Sequence, residues 1–445
     1  MLIFLVLFSL FPIAPSELFL ATIELFDKTF SRIIRKICYM SNLRYLFPFF
    51  QKRKNFVYLD SAGTSLKPQL LIDAIVDYYQ NYSINTHSSN SPFFLTTQRK
   101  INEARELIAQ WIKASSSEEI IFLPSSTYAL NILALSLENF VEKDDQIALS
   151  YLEHSSNFYP WQALAKKKKT KIIFLPLKED LVIDNQKLSA YITSRTKIVA
   201  LTHLTNNLGI INPIAKIAKK IKKINPRCLI IVDAAQSIAH LPINVQEWNI
   251  DALIFSGHKV YGPTGIGILW LKADLGRKLP DLLWGGGKEF GINQVTKKLT
   301  NFSLSQKFEV GTLPLAQIFG LRAVFEWLSN FDRNKIKKQE KELWNYACQE
   351  LETLAGITIY NQNFSQVSNI ILCNFKQYHA HDIVDYLSRN NIFVRAGNFC
   401  SPFLKKLIGT ESALRISLTF YNNKNDIDRL VFLLKKLSKK PELII

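Results

Sequence analysis

The stretch Leu253-Ile-Phe-Ser-Gly-His-Lys-Val-Tyr-Gly-Pro-Thr-Gly-Ile-Gly-Ile-Leu-Trp-Leu271 decides the reading of this chain. A short apolar run, Leu253–Phe255, ends at Ser256. Gly257, His258 and Lys259 follow at once, then three more glycines, and the apolar residues resume over Gly267–Leu271. A lysine on an ordinary surface needs no such setting. A lysine used as an amine nucleophile does, because it must be held still, shielded from water and placed beside an anion. The glycines let backbone pass close to whatever that lysine binds.

Outward from this loop the chain alternates. Apolar runs at Ile120–Phe122, Gln146–Leu149, Ile172–Leu175, Lys197–Leu201 and Leu229–Val232 read as strands. Helical patterns begin near Thr127 and Asn157 and run over 213–224, and two more, 68–81 and 96–113, come before the first strand. Helices between strands at these intervals predict a mostly parallel sheet covered on both faces. From about 315 the pattern changes to long helices at 316–328 and 333–354, strands near 369–375 and 391–395, and a last helix at 424–438. That predicts a smaller α+β domain over 315–445, after a large domain over 58–314.

In such sheets chemistry gathers where strands end and loops enter helices. Ser125, Ser126 and Thr127 offer hydroxyls and backbone N–H groups at a helix start, suited to an anion or to simple capping. His154 and Asn206 follow the next strands. Asp233 and Gln236 follow Cys-Leu-Ile-Ile-Val, a run so apolar that a carboxylate there calls for a cationic partner. Ser256, His258 and Lys259 complete an inventory of anion cradle, imidazole, amide, carboxylate and lysine. That set suits pyridoxal phosphate, whose phosphate, ring nitrogen and aldehyde ask for those three kinds of partner.

The chain has 445 residues, 48% of them apolar, and a net charge of +18. Forty of its 55 basic residues are Lys, many in runs such as Lys166–Lys169, with no nucleic-acid-binding spacing, so the charge reads as a solvated surface. Five cysteines, 38, 228, 348, 373 and 400, show no CxxC spacing and suit a reducing compartment. The pair His379 and His381 has no nearby cysteine and reads as a surface pair rather than a metal site. Residues 1–39 begin MLIFLVLFSLFPIAP, apolar but broken by Pro12 and Pro15. They read as upstream sequence before a start at Met40, as a targeting presequence, or as a membrane anchor, in that order. The compartment is correspondingly cytoplasmic, or organellar for a genuine presequence.

The motifs YLDSAGTSLKP, EHSSNFYPW, THLTNNLG, VDAAQS and SGHKVYGPTGIG resemble those of the class V aminotransferase family, and most closely its SUF-type (group II) cysteine desulfurases. The resemblance runs from about Tyr58 to Leu430 and implies a fold type I, aspartate aminotransferase-like architecture, with 40–57 packing on the small domain. It implies that Lys259 is the Schiff-base lysine and moves the α-proton, and that His154 stacks on the ring and aids proton transfer. Asp233 would pair with the ring nitrogen, Gln236 and Asn206 would address the ring hydroxyl, and Ser126, Thr127, Ser256 and His258 would hold the phosphate. Phe308-Glu-Val-Gly-Thr312 resembles a segment whose threonine reaches the neighbouring subunit's phosphate, which implies a homodimer. Cys400, in Val394-Arg-Ala-Gly-Asn-Phe-Cys-Ser-Pro402, resembles the cysteine that takes sulfur from L-cysteine as a persulfide and passes it to an acceptor protein, usually for iron–sulfur cluster assembly. Arg415 would bind the substrate carboxylate, with Arg395 and Asn206 beside it.

Four stretches depart from the family pattern. Asn398 and Phe399 replace two histidines before Cys400, Ser155 replaces the histidine after His154, Ser88-Ser89 replaces Arg-Gly after His87, and Ser125-Ser126-Thr127-Tyr128 replaces Gly-Thr-Thr-Glu. These predict a slow basal turnover that an acceptor raises. The alternatives within the fold are a selenocysteine lyase, acting on L-selenocysteine, or another class V enzyme that ignores Cys400; a basic binding protein without catalysis is the distant one.

Overall fold

The computed structural model describes residues 43–83, 92–286 and 303–439, and the chain from Leu46 onward forms one compact unit. Residues 1–39, His87 and Ser88-Ser89 lie outside the described residues.

Along the chain come β1 (Val57–Tyr58), α1 (Gln69–Asp77), α2 (Pro92–Ile112), β2 (Ile120–Leu123), α3 (Ser126–Ser136), β3 (Gln146–Leu149) and α4 (Tyr159–Lys168). Then follow β4 (Lys171–Phe174), β5 (Thr196–Thr202), α5 (Ile214–Ile224), β6 (Leu229–Asp233), β7 (Ala252–Ser256) and β8 (Gly267–Leu271). The last part holds α6 (Leu315–Leu328), α7 (Arg333–Glu352), β9 (Ile357–Ile359), β10 (Ile370–Phe375), α8 (Ala380–Arg389), β11 (Ile392–Phe393), β12 (Arg395–Gly397), β13 (Ala413–Ser417) and α9 (Lys424–Lys439).

Seven strands form one sheet in the order β2-β8-β7-β6-β5-β3-β4. Strands β4, β3, β5, β6 and β7 run parallel, while β8 is antiparallel to both β7 and β2. The expected parallel sheet is present, and β8 departs from it because the loop 257–266 is too short for a crossover, which takes a dozen or more residues. Every residue of β2, β7 and β8 is buried, as strands covered on both faces require. On one face Leu130 and Leu133 of α3 and Trp161 and Leu164 of α4 pack with Ile147, Ile198 and Ile254. On the other, Phe325 of α6 lies 6.1 Å from Phe255 of β7. In α5, Ile214, Ile217, Ala218 and Ile221 are buried at helical spacing; Lys216, Lys219 and Lys223 lie off that stripe, while Lys222 folds back onto Asp251 at 2.8 Å.

Four strands form a second, antiparallel sheet in the order β12-β13-β10-β9. Its core takes Trp344, Ala347 and Leu351 from α7, Ile383 and Leu387 from α8, and Ile427, Leu430 and Leu434 from α9, together with Val57 and Leu59. Strand β1 pairs in parallel with β11. The segment 391–395 reads as one strand but makes two, because β11 pairs with β1 and β12 with β13. Strand β13 was not predicted, since Arg415 interrupts its apolar run.

Candidate active site

Every site residue predicted from sequence except Thr312 lines a single cavity of about 240 Å³. The cavity lies at the carboxyl ends of β2, β3, β5, β6 and β7, facing the loop after β12. Thr312 is exposed elsewhere, in a segment where Glu309 grips Arg105 and accepts the Phe122 N–H at 2.7 Å.

Lys259 lies in the cavity wall, in the short turn after β7. Burial pushes its amine down to about 8, helped by the guanidinium groups of Arg415 and Arg395 and opposed by the Asp233 carboxylate. The carbonyl of the preceding residue, His258, is gripped by the segment Thr64–Lys67. It accepts from Ser65 N at 3.1 Å, Ser65 Oγ at 3.0 Å, Thr64 Oγ1 at 3.1 Å and Lys67 Nζ at 2.8 Å. Two residues on, Tyr261 has left-handed backbone (φ +60°), and its N–H donates to Ser65 Oγ at 2.7 Å. Thus YLDSAGTSLKP fastens the lysine turn. Burial also lowers the Lys67 amine, to about 7.

Asp233 ends β6 beside Thr202 of β5. One carboxylate oxygen accepts the Ala235 N–H at 2.9 Å. Burial pushes this carboxyl up, while that N–H and Lys259 hold it down. A carboxylate so placed favours a cationic partner. Gln236 donates to the Ala62 carbonyl at 2.7 Å.

Also on the cavity wall, α3 begins with the Ser125 side chain accepting the Tyr128 N–H at 3.1 Å. Ser256 Oγ accepts the Ser126 N–H at 3.0 Å and donates to Ser126 Oγ at 2.7 Å. Thr127 and Ser156 hydroxyls meet at 2.8 Å. The closeness of β7, β8 and α3 depends on Gly267, where a Cβ would come 2.3 Å from the Ser125 carbonyl carbon. His258 Nδ1 lies 3.2 Å from Thr64 Oγ1, and burial lowers its imidazole to about 4.

His154 Nδ1 accepts the Ser156 N–H at 3.1 Å. That nitrogen is therefore unprotonated, and the proton of the neutral ring sits on Nε2. Burial, with Lys259 and the two guanidinium groups, lowers the ring to about 4 and keeps it neutral near pH 7. Behind it Glu153 is fully buried, held by Ser150 Oγ at 2.5 Å and Asn157 Nδ2 at 2.6 Å. Burial pushes the Glu153 carboxyl up to about 8.

The second sheet supplies Cys400, Arg395 and Arg415. Arg415 is 1% exposed; Nη2 donates to Asp60 at 2.6 Å and Nη1 to the Asn206 carbonyl at 2.8 Å. Its Nε is buried without a partner. The guanidinium lies over the Phe399 ring, 4.9 Å from the centroid. Asn206 Nδ2 donates to the Phe399 carbonyl at 2.7 Å, so this amide ties down the cysteine loop. Phe399 and Cys400 both have left-handed backbone, φ +57° and +54°. Such residues cost about 1–3 kcal/mol each and persist only where neighbours hold them. Cys400 is exposed at the cavity mouth, whereas Cys228, Cys348 and Cys373 are buried, with burial pushing each thiol up to about 12.

Sequence reasoning gave no role to Asp60, Lys67, Glu153 or Thr202. All four stood inside quoted motifs, and a carboxylate directly after Val57-Tyr58-Leu59 was the signal for Asp60. His379 caps α8, its Nδ1 facing the His381 N–H at 3.4 Å. Among the described residues no group of three or more His, Cys, Asp or Glu side chains is placed to hold a metal ion, and no helix is long and apolar enough to cross a membrane.

Sheet and cavity together define an α/β enzyme built around a lysine set in a cavity at strand ends. Residues 57–430 match the family described as Aminotransferase class-V. A relative in Ureaplasma parvum serovar 3, named "Probable cysteine desulfurase", is 38% identical over 404 residues, 91% of this chain and 99% of that protein. A crystal structure of a cysteine desulfurase from Escherichia coli, in an S-sulfonic acid form, superposes with a TM-score of 0.81 at 31% identity, covering 88% of this chain and 97% of that one. The apo cysteine desulfurase of Thermococcus onnurineus NA1 superposes at 0.83 with 29% identity, covering 89% and 97%. The chain belongs to the class V aminotransferase family.

Proposed function

We propose that this protein is a pyridoxal phosphate-dependent cysteine desulfurase that converts L-cysteine to L-alanine and retains the sulfur as a persulfide on Cys400. The observation that carries the reading is the meeting of Lys259, Asp233, Arg415 and an exposed Cys400 on one cavity, drawn from two sheets. Cysteine desulfurase relatives at 31–38% identity support it, and a more distant structural neighbour is described with glycine covalently linked to its pyridoxal phosphate.

The donor set fits the cofactor. Ser126, Thr127, Ser256 and His258, at the start of α3 and the end of β7, would hold the phosphate. The buried Asp233 carboxylate would meet the ring nitrogen, His154 would stack on the ring, Gln236 and the remaining amide N–H of Asn206 would address the ring hydroxyl, and Lys259 would hold the aldehyde. When bound, the cofactor supplies an electron sink for the substrate α-carbon. The other steps belong to the chain. Arg415, with Arg395 beside it, binds the substrate carboxylate. Lys259 Nζ, as a free amine, takes the α-proton and returns a proton to carbon. The Cys400 thiolate attacks the substrate sulfur. An S–S bond forms, the Cβ–S bond breaks with its electron pair left on carbon, and protonation there yields alanine. No outside oxidant or reductant is needed.

The reading extends to a SUF-type enzyme acting as a homodimer, with Thr312 reaching a neighbouring subunit's site, and to a sulfur-acceptor protein serving iron–sulfur cluster assembly. To test the core of it, full-length protein and Cys400→Ala are given L-cysteine and a reductant, and sulfide and alanine are assayed together. The parent is expected to make both in equal amounts and the variant neither. Alanine production by the variant would place the enzyme elsewhere in its family.

A further inference from the structure

Three of the positions at which this chain departs from its family's pattern, Ser155, Asn398 and Phe399, converge on Cys400. The Cys400 carbonyl accepts two hydrogen bonds from Ser155, from the backbone N–H at 2.8 Å and from Oγ at 2.9 Å. The Cys400 N–H donates to Asn398 Oδ1 at 3.1 Å. Phe399 is buried under the Arg415 guanidinium, with its carbonyl held by Asn206. Both polar groups of the Cys400 backbone are thus spoken for, and the residue sits second in a pair of consecutive left-handed residues. Two non-glycine residues do not stay in that conformation unaided. The side chain of Cys400 is exposed.

Ser155 reaches Cys400 from the loop after β3, immediately beside His154. The same short segment therefore positions the imidazole in the cavity and the cysteine at its mouth. We propose that Ser155 is a positioning residue for sulfur transfer: with Asn398 it clamps the Cys400 backbone in its left-handed turn and sets the approach of Sγ to the substrate sulfur. The inference rests on Cys400 being the nucleophile of the proposed desulfurase. A clamp of this kind acts on the attack more than on capture of the amino acid, because neither Ser155 nor Asn398 holds the Arg415 guanidinium, whose hydrogen bonds go to Asp60 and the Asn206 carbonyl.

The test compares full-length parent, Ser155→Ala and Ser155→Thr, each loaded with pyridoxal phosphate. Alanine formation yields kcat and KM, and amide hydrogen exchange is followed on the peptide spanning 396–402. Ser155→Ala is expected to lower kcat about fivefold, as loss of one positioning hydrogen bond allows, with KM unchanged within about twofold. Exchange in 396–402 should quicken while α3 and β6 keep the parent's protection. Ser155→Thr, which retains the hydroxyl, should restore both readings. Asn398→Ala, on an exposed side chain, carries the same test from the other end of the clamp should Ser155→Ala fold poorly. Parental kcat and parental exchange in the Ala variants would overturn the proposal, as would a fall in kcat without faster exchange. Failure of the desulfurase reading is seen separately, as alanine formation that survives Cys400→Ala.

Discussion

At the scale of single residues, the cavity's chemistry is set by which groups are denied their charge. Lys259, His154 and His258 all have depressed basicity, and burial is the first cause in each case. The lysine benefits most, since a depressed ammonium is a usable amine near neutral pH. Its sign is simple: the free-amine fraction rises as pH rises through the folded-state value of about 8. In cofactor-free protein, reductive methylation at Lys259, read by peptide mass mapping, should therefore rise with a midpoint near pH 8, while exposed lysines are still gaining reactivity well above it. A Lys259 profile that tracks the surface lysines would show that the turn does not desolvate the amine. His154 is the contrasting case. With Nδ1 accepting the Ser156 N–H, the neutral ring keeps its proton on Nε2 and acts there as a hydrogen-bond donor.

At the scale of elements, the lysine turn is fastened from two directions. The segment Thr64–Lys67 saturates the His258 carbonyl, and Gly267 lets β8 close against the start of α3. Gly267 pairs with Leu123 on one side and Ser256 on the other, so its lack of a side chain is what brings the Ser256 hydroxyl to Ser126. Gly267→Ala should push β8 off the α3 N-terminus, costing about 1–3 kcal/mol in urea unfolding as overpacking does, and should weaken retention of pyridoxal phosphate in dialysis. Full stability and full retention would mean that the strand end can shift without cost. The helices were legible because their buried positions recur at helical spacing, as in α5. Strand β13 was not, because a fully buried arginine breaks the apolar pattern that marks a strand.

At the scale of the whole molecule, the two sheets are joined by a buried polar chain rather than by apolar packing alone. His240 Nδ1 meets both Glu340 oxygens at 3.0 Å, and Thr419 Oγ1 donates to Glu340 at 3.1 Å. Thr419 Oγ1 lies 2.6 Å from the Tyr261 hydroxyl, two residues from Lys259. This chain runs from α7 and the end of β13 to the lysine turn, so the relation between Lys259 and the Arg415 and Cys400 side depends on it. Removing the carboxylate by Glu340→Ala takes one partner from the buried His240 ring and the Thr419 hydroxyl, which keep Asn369 and Tyr261, and should cost about 1–3 kcal/mol. Denaturant unfolding would show a lower midpoint at unchanged slope; a shift below about 1 kcal/mol would mean that water replaces the carboxylate and the chain carries little.

The sequence by itself determined the α/β class, most strand positions and the lysine–carboxylate–imidazole inventory. Each of those residues stands within a few positions of an apolar run, so local order carries the information. Only the tertiary structure decided that Arg415 pairs with Asp60, that Asn206 and Ser155 hold the cysteine loop, and that β8 returns antiparallel. These contacts join residues far apart in the chain, and no periodicity records them. A buried arginine or a left-handed cysteine is costly by itself, and only the partners that folding brings to it make its place stable.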